Sequence, residues 1–239
     1  MAPALLAIAV PGVLRVAAAW PDPPFEVGDG AGPAGLDIEL MRAVAAELGL
    51  EWRPCRFAGA DFNDIFAGLA DGRWDCIASG TTVTPERAEL ADFCTPYLTS
   101  GQGLAVNAAR TPAIRSTADL AGRTLAVQDG NTSQPVAERM RAEGRAGAVR
   151  VYPYDGIDGM LDDLEAGRID AVMKLAPVLR WLIRSRPTLR MVEAGITTER
   201  IAVAVRRGNA ALHDAIEAAQ ARLAARGALA ALVDKWIAR

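Results

Sequence analysis

Short runs of Val, Ile, Leu and Ala recur along the chain at Leu14–Trp20, Trp52–Phe57, Asp75–Ser79, Gly103–Asn107, Thr124–Gln128, Val149–Tyr152, Ala171–Lys174 and Ile201–Val205. Their length and β-branched content predict strands. Between them apolar positions return with helical spacing, as in Leu40, Met41, Val44, Ala45 and Leu48, ended by Gly49, and in Ile65, Phe66 and Leu69, ended by Gly72. The strands are nearly continuously apolar rather than alternating, which predicts mostly parallel sheets covered by helices on both faces, an α/β fold class. From Ala210 to Arg239 the strand signal stops, and the pattern predicts two alanine-rich helices broken near Gly227. No internal repeat or low-complexity linker interrupts the alternation.

Composition narrows the function classes. The chain has 239 residues, 51% hydrophobic and 23% charged, with a formal net charge of −3. That is enough for one large or two modest domains, and it carries no basic footprint for a nucleic-acid or membrane-surface partner. The longest apolar stretch, Ala4 to Val10 before Pro11, falls far short of the roughly 20 residues that span a bilayer. No basic segment precedes Leu5, so the expectation is that a signal peptide is absent from this chain. Cys55, Cys76 and Cys94 form no CxxC pair and have a single histidine, His213, to help them, so no metal site is expected. Cys55 and Cys76 read as small buried hydrophobes, with one disulfide left open.

Two loops could carry binding chemistry. In Ser79-Gly-Thr-Thr-Val-Thr-Pro-Glu-Arg87, Thr84 suits an N-cap and Pro85 the first helical position, which puts Arg87 in the first turn. A cation there opposes the helix dipole, and two readings follow: the arginine reaches an anion near the strand end, or it pairs with Glu86 or Glu89 at the surface. In the first reading, backbone donors around Gly80 and Thr82 complete an anion pocket. In Gln128-Asp-Gly-Asn-Thr-Ser-Gln134 a glycine turns the chain after a strand, and Thr132 and Ser133 can cap the next helix. Gly30, Gly32 and Gly35 match a dinucleotide fingerprint by letter, but prolines separate them from the preceding strand, and they read as a plain loop. His213 reads as a solvated residue of a polar helix, and no nucleophile has a base beside it.

The chain resembles the periplasmic solute-binding proteins of polar amino-acid ABC transporters. The resemblance runs in order through Gly12-Val-Leu-Arg-Val16, Pro24-Phe25, Gly35-Leu-Asp-Ile-Glu-Leu40, Leu69-Ala-Asp-Gly-Arg-Trp-Asp75, Thr84-Pro-Glu-Arg87, Asp92-Phe-Cys-Thr-Pro-Tyr97, Gly167-Arg-Ile-Asp170 and Gly227-Ala-Leu-Ala-Ala-Leu-Val-Asp-Lys-Trp236. It implies two α/β lobes of the type II periplasmic-binding fold, residues 1–100 plus 197–239 and residues 101–196, joined by two crossings. Ligand would sit in the cleft, and hinge closure would signal occupancy to a permease. The resemblance gives Arg87 the ligand's α-carboxylate, with Thr82, Gly80 and Ser79 as helpers and Thr132 as a second-lobe contact. Phe62 falls where an aromatic platform is expected, against the alternative of a core phenylalanine, and Trp20 is a second candidate wall.

Departures from the family pattern bear on the ligand. Five residues after Asp170, where relatives place the acid that holds an α-ammonium, this chain has Leu175, and Ala19 stands where relatives often carry another acid. Lys174 precedes Leu175, either touching ligand or turned to solvent or a salt bridge. A buried ammonium without its carboxylate costs several kcal/mol, so the expected ligand is a small organic anion lacking a standard α-ammonium contact. An ordinary amino acid, its amine held by Asp22 or Asp61, is the first alternative. An enzyme of the cyclohexadienyl dehydratase type is another, though its acid position falls in apolar Leu175–Val178. A receptor-kinase sensor module would need a longer chain. The expectations are therefore a monomeric, non-enzymatic binding protein without cofactor, periplasmic or lipid-anchored, working with an ABC permease.

Overall fold

The computed structural model describes residues 6–28 and 32–237, so Gly30 of the glycine-rich loop lies outside the described residues. The chain forms two compact units, unit 1 from Met1–Ala58, Asp64–Thr99 and Arg200–Arg239, and unit 2 from Gly59–Asn63 and Ser100–Glu199. In chain order the elements are β1 (Val13–Ala19), α1 (Leu36–Glu47), β2 (Glu51–Phe57), α2 (Ile65–Ala70), β3 (Cys76–Ile77), α3 (Pro85–Ala88) and β4 (Ala91–Phe93). Then follow β5 (Leu98–Ser100), β6 (Gln102–Asn107), β7 (Thr124–Gln128), α4 (Ser133–Ala142), β8 (Ala148–Tyr152), α5 (Ile157–Ala166), β9 (Ala171–Leu175), α6 (Ala176–Ile183) and β10 (Leu189–Ala194). The chain ends with β11 (Glu199–Ile201), β12 (Ala204–Arg206), α7 (Ala210–Ala225) and α8 (Ala228–Trp236).

Unit 1 has a five-stranded sheet in the order β2-β1-β3-β12-β4, unit 2 one in the order β10-β6-β9-β7-β8, and β11 pairs with β5 in a separate two-stranded sheet. Both larger sheets are mixed. β1 runs parallel to β2 and β3, whereas β12 is antiparallel to β3 and β4. In unit 2, β7 runs parallel to β8 and β9, whereas β6 is antiparallel to β9 and β10. The sheets are less parallel than continuous hydrophobicity suggests because β6 and β12 follow the short strands β5 and β11, with no crossover helix to set their direction.

The continuous apolar runs of unit 2 have a direct cause. Along its three central strands, Leu104, Val106, Leu125, Val127, Ala171 and Met173 join one core cluster with Ala137 and Met140 of α4. The alternate positions Ala105, Ala126 and Val172 join a second cluster with Met160, Leu161 and Leu164 of α5 and Leu179 of α6. Successive side chains point to opposite faces, so the middle of a strand covered on both sides is apolar at consecutive positions, with polar residues such as Gln102, Gln128 and Lys174 near the strand ends. β2 shows the opposite case. It is the edge strand of its sheet, its residues before Phe57 are exposed or half-buried, and Pro54, which lacks a ladder donor, is tolerated there. Cys55 is therefore half-exposed, which corrects its reading as a buried hydrophobe, while Cys76 and Cys94 are buried and all three are free thiols.

The expected strand Ile201–Val205 is two strands in different sheets, β11 and β12, with Ala202 and Val203 between them. All of these residues are buried, so no polar position marks the change of sheet. The C-terminal helices α7 and α8 fall on either side of Gly227 as the pattern predicts.

Candidate solute-binding site

In unit 1 the candidate groups follow β3. Thr84 caps α3 by accepting a hydrogen bond from the Arg87 amide at 3.2 Å, and Pro85 occupies the first helical position. This start fixes Arg87 in the first turn, where its side chain is buried, with the residue only 6% exposed. Its guanidinium donates to the Thr82 carbonyl oxygen at 3.1 Å and lies 5.7 Å from the centre of the Phe66 ring. That burial is unlike an arginine extended into solvent at the surface. Ser79 is buried and accepts from the Ala19 amide at 2.9 Å, which leaves its own hydroxyl proton to donate elsewhere.

Gly80 departs from its expected role. Its N–H donates to Asp37 Oδ2 at 2.6 Å, which takes that donor out of an anion-binding set in this conformation. The residue has φ +54°, and a Cβ there would sit 2.9 Å from the Phe25 ring, so glycine is needed for both backbone and space. Asp37 also accepts from the Tyr97 hydroxyl at 2.6 Å. Burial pushes its carboxyl up to about 7, with the Tyr97 and Gly80 hydrogen bonds opposing the shift and the nearby Asp22 carboxylate adding to it. Trp20 and Asp22, in the loop after β1, are half-buried, and the Trp20 carbonyl accepts from Arg56 at 3.2 Å.

In unit 2 the loop after β7 packs closely on residues 61–63. Gly130 has φ +70°, and a Cβ on it would lie 1.9 Å from Asp61 Oδ1 and 2.7 Å from the Phe62 amide nitrogen, so no other residue fits. Asp61 caps this turn by accepting from the Asn63 amide at 2.7 Å. Phe62 is buried and its ring lies 5.3 Å from that of Tyr154, tilted by 41°. Thr132 begins α4 without a side-chain cap, contrary to its expected capping role. Its hydroxyl instead donates to Glu199 Oε2 at 2.8 Å and accepts from Gln102 Nε2 at 3.0 Å. Glu199 is buried and also accepts from Gln102 and from Thr197 at 2.9 Å.

Lys174 and Leu175 are adjacent on β9, and both are buried because both faces of that strand are covered. Lys174, 4% exposed, does not face solvent. Its ammonium donates to Gln128 Oε1 at 2.7 Å and lies 5.6 Å from the centre of the Tyr154 ring. Gln128 is fixed in turn by donating to the Tyr154 carbonyl oxygen.

Comparison with known proteins decides the family. The sequence pattern of the bacterial extracellular solute-binding proteins, family 3, matches residues 14–239. The chain belongs to this family. It is 29% identical over 220 residues to the ABC transporter arginine-binding protein 1 of Escherichia coli K12, covering 90% of this chain and 86% of that protein. It is 31% identical over 230 residues to the L-cystine-binding protein TcyJ of the same organism, covering 94% of this chain and 82% of that protein. Among solved structures it resembles an ancestral arginine-binding protein bound to arginine, with a TM-score of 0.85, 29% identity and coverage of 94% and 98% of the two chains. It also resembles an ancestral amino acid-binding protein that preceded cyclohexadienyl dehydratase, with a TM-score of 0.82, 28% identity and 95% coverage of each chain. The fold is thus the α/β fold of two-lobed periplasmic binding proteins, and the chain is a solute-binding protein of an amino-acid ABC importer, from an extracellular or periplasmic family.

For this solute-binding protein, sequence reasoning missed Gln102, Gln128, Tyr154 and Glu199, which position Thr132 and Lys174. Glu199 sits in the polar run Thr197-Thr-Glu199, which reads as a surface loop. Only its long-range partners mark it as buried.

Proposed function

We propose that this protein is a non-enzymatic, monomeric solute-binding component that delivers a small carboxylate ligand to an ABC permease, with its lobes closing on the ligand by hinge motion. The observation that carries the reading is Arg87, a buried guanidinium held by the Thr82 carbonyl and the Phe66 face. A planar guanidinium fork suits a carboxylate, which it can meet with two parallel N–H donors. Arg87 receives the carboxylate, with Ser79 and Thr82 beside it. Within unit 2, Lys174 and the apolar Leu175 are buried on β9, and the Phe62 and Tyr154 rings pack on each other. Leu175 in the usual acid position favours a ligand without a free α-ammonium, and Lys174 favours one that carries a second anionic group.

A second reading has one observation in its favour: Glu199 is a buried carboxylate bonded to Thr132, and it could hold the amine of an ordinary amino acid. The relatives named for arginine and cystine bind such ligands. A thermal-shift screen of amino acids against mono- and dicarboxylates tests the proposal, because a ligand that binds only the folded form raises its melting temperature. The account expects the largest shifts from carboxylates without an α-amino group; shifts from α-amino acids alone would support the Glu199 reading instead.

A further inference from the structure

Outside the groups assigned to solute binding, unit 1 gathers Cys94, His213 and Glu217. One ligand atom from each, a thiol sulfur, an imidazole nitrogen and a carboxylate oxygen, lies within 4.8 Å of the other two. We infer that these three residues form a binding site for a borderline divalent cation of the zinc class, remote in function from the solute site.

The elements bring these residues together from distant parts of the sequence. His213 and Glu217 are one turn apart on α7 and share its face, with His213 Nε2 3.9 Å from Glu217 Oε1. Cys94 directly follows β4 and is anchored by its amide, which donates to the Val203 carbonyl at 2.8 Å. A single histidine and unpaired cysteines argue against a metal when only sequence spacing is considered. Folding supplies the cluster that spacing hides.

The surroundings orient the three groups. His213 Nδ1 faces Asp214 Oδ1 at 3.1 Å, the carboxylate-to-imidazole contact that directs the other ring nitrogen toward a metal. His213 Nε2 faces the Phe93 carbonyl at 3.2 Å. Both ring nitrogens thus meet acceptors, an arrangement that an imidazolium satisfies with its two N–H groups and a neutral ring with one N–H does not. A cation on Nε2 takes the place of one proton. The Thr95 amide and hydroxyl both donate to the Glu217 carboxylate, fixing its direction and leaving lone pairs on each oxygen. Cys94 is buried, whereas the His213 and Glu217 side chains are 28% and 29% exposed, so a cation reaches the thiol from the solvent side of α7.

Sulfur, nitrogen and oxygen donors together suit a borderline ion rather than Mg²⁺ or Ca²⁺. Three protein ligands leave a fourth position for water, the arrangement of an open tetrahedral site. As the metal–sulfur bond forms, the thiol proton passes to solvent. Modest side-chain movement draws the three donors onto one ion.

Titration of the reduced 239-residue chain with Co²⁺, followed by displacement with Zn²⁺, tests the site. The expected result is one Co²⁺ per chain, with a thiolate-to-cobalt charge-transfer band and visible bands of tetrahedral intensity. Cys94→Ser abolishes the charge-transfer band, His213→Gln and Glu217→Gln each weaken binding by at least about tenfold, and Cys55→Ser changes nothing. Absence of the band in the native chain, its survival in Cys94→Ser or its loss in Cys55→Ser would overturn the inference. If Cys94→Ser does not fold, His213→Gln decides, since its ring is partly exposed, and unchanged Co²⁺ affinity in that variant overturns the site.

Discussion

The two loops that follow β3 and β7 share a plan, a buried strand, a glycine turn with positive φ and a helix start, yet they are held by different forces. The loop after β3 is built from neighbours in sequence: Thr84 caps α3, Pro85 sets its first residue, and Arg87 returns to the Thr82 carbonyl. The loop after β7 is built from distant partners: Thr132 leaves its helix uncapped and spends its hydroxyl on Glu199 and Gln102, while Gly130 admits the backbone of residues 61–63. Similar local sequence therefore does not imply similar duty for a threonine before a helix.

The largest effect expected from breaking this contrast is on the first loop. Arg87→Ala should weaken ligand binding by about 2–5 kcal/mol, because it strips a buried anion of its partner. Arg87→Lys should recover only part, since an ammonium cannot reproduce the two-pronged fork. Calorimetry showing near-unchanged affinity in Arg87→Ala would remove this loop from the site.

The next effect concerns the Asp37 anchor of Gly80 and is read through pH. The folded carboxyl titrates near 7 against 3.8 for the free group, so the native state binds the proton more tightly than the unfolded chain does. Its contribution to stability is greatest below about pH 4, falls as pH rises through the window to 7, and is flat above it, a change of up to roughly 4 kcal/mol. Asp37→Asn should remove that dependence. Chemical denaturation of both proteins between pH 4 and 8 should show the wild type losing ground to the variant as pH rises; a constant difference would mean that Asp37 is ionised throughout.

The smallest effect sharpens the comparison of the two threonines. Thr84→Ala should cost about 1 kcal/mol of stability whether or not Glu199 is present, as a cap does. Thr132→Val should cost a similar amount that largely vanishes in a Glu199→Gln background, with a coupling of about 1 kcal/mol between the two positions. An additive double-mutant cycle at Thr132 and Glu199 would deny the long-range role.

This difference also explains what the sequence disclosed. Strands such as Thr124–Gln128 were legible because both faces are covered and the successive positions Leu125, Ala126 and Val127 are all apolar. The helix at Pro85 was legible because its signals lie within a few residues. β10, whose central residues Arg190 to Glu193 are exposed or half-buried, gave no such run, and the separation of β11 from β12 is invisible in a uniformly buried stretch. Lys174 and Glu199 look like surface charges, and only Gln128, Tyr154, Gln102 and Thr132 show where they go. Side-chain burial set by partners dozens of residues away leaves no local trace.

The central claim is that a buried arginine receives a carboxylate while Leu175 denies the ligand its usual ammonium contact. Calorimetry of an α-amino acid and its deaminated analogue, in wild type and in Leu175→Asp, tests it most directly. The account predicts that wild type binds the deaminated member more tightly and that the aspartate shifts preference toward the amino acid; a wild type that prefers the amino acid would contradict it.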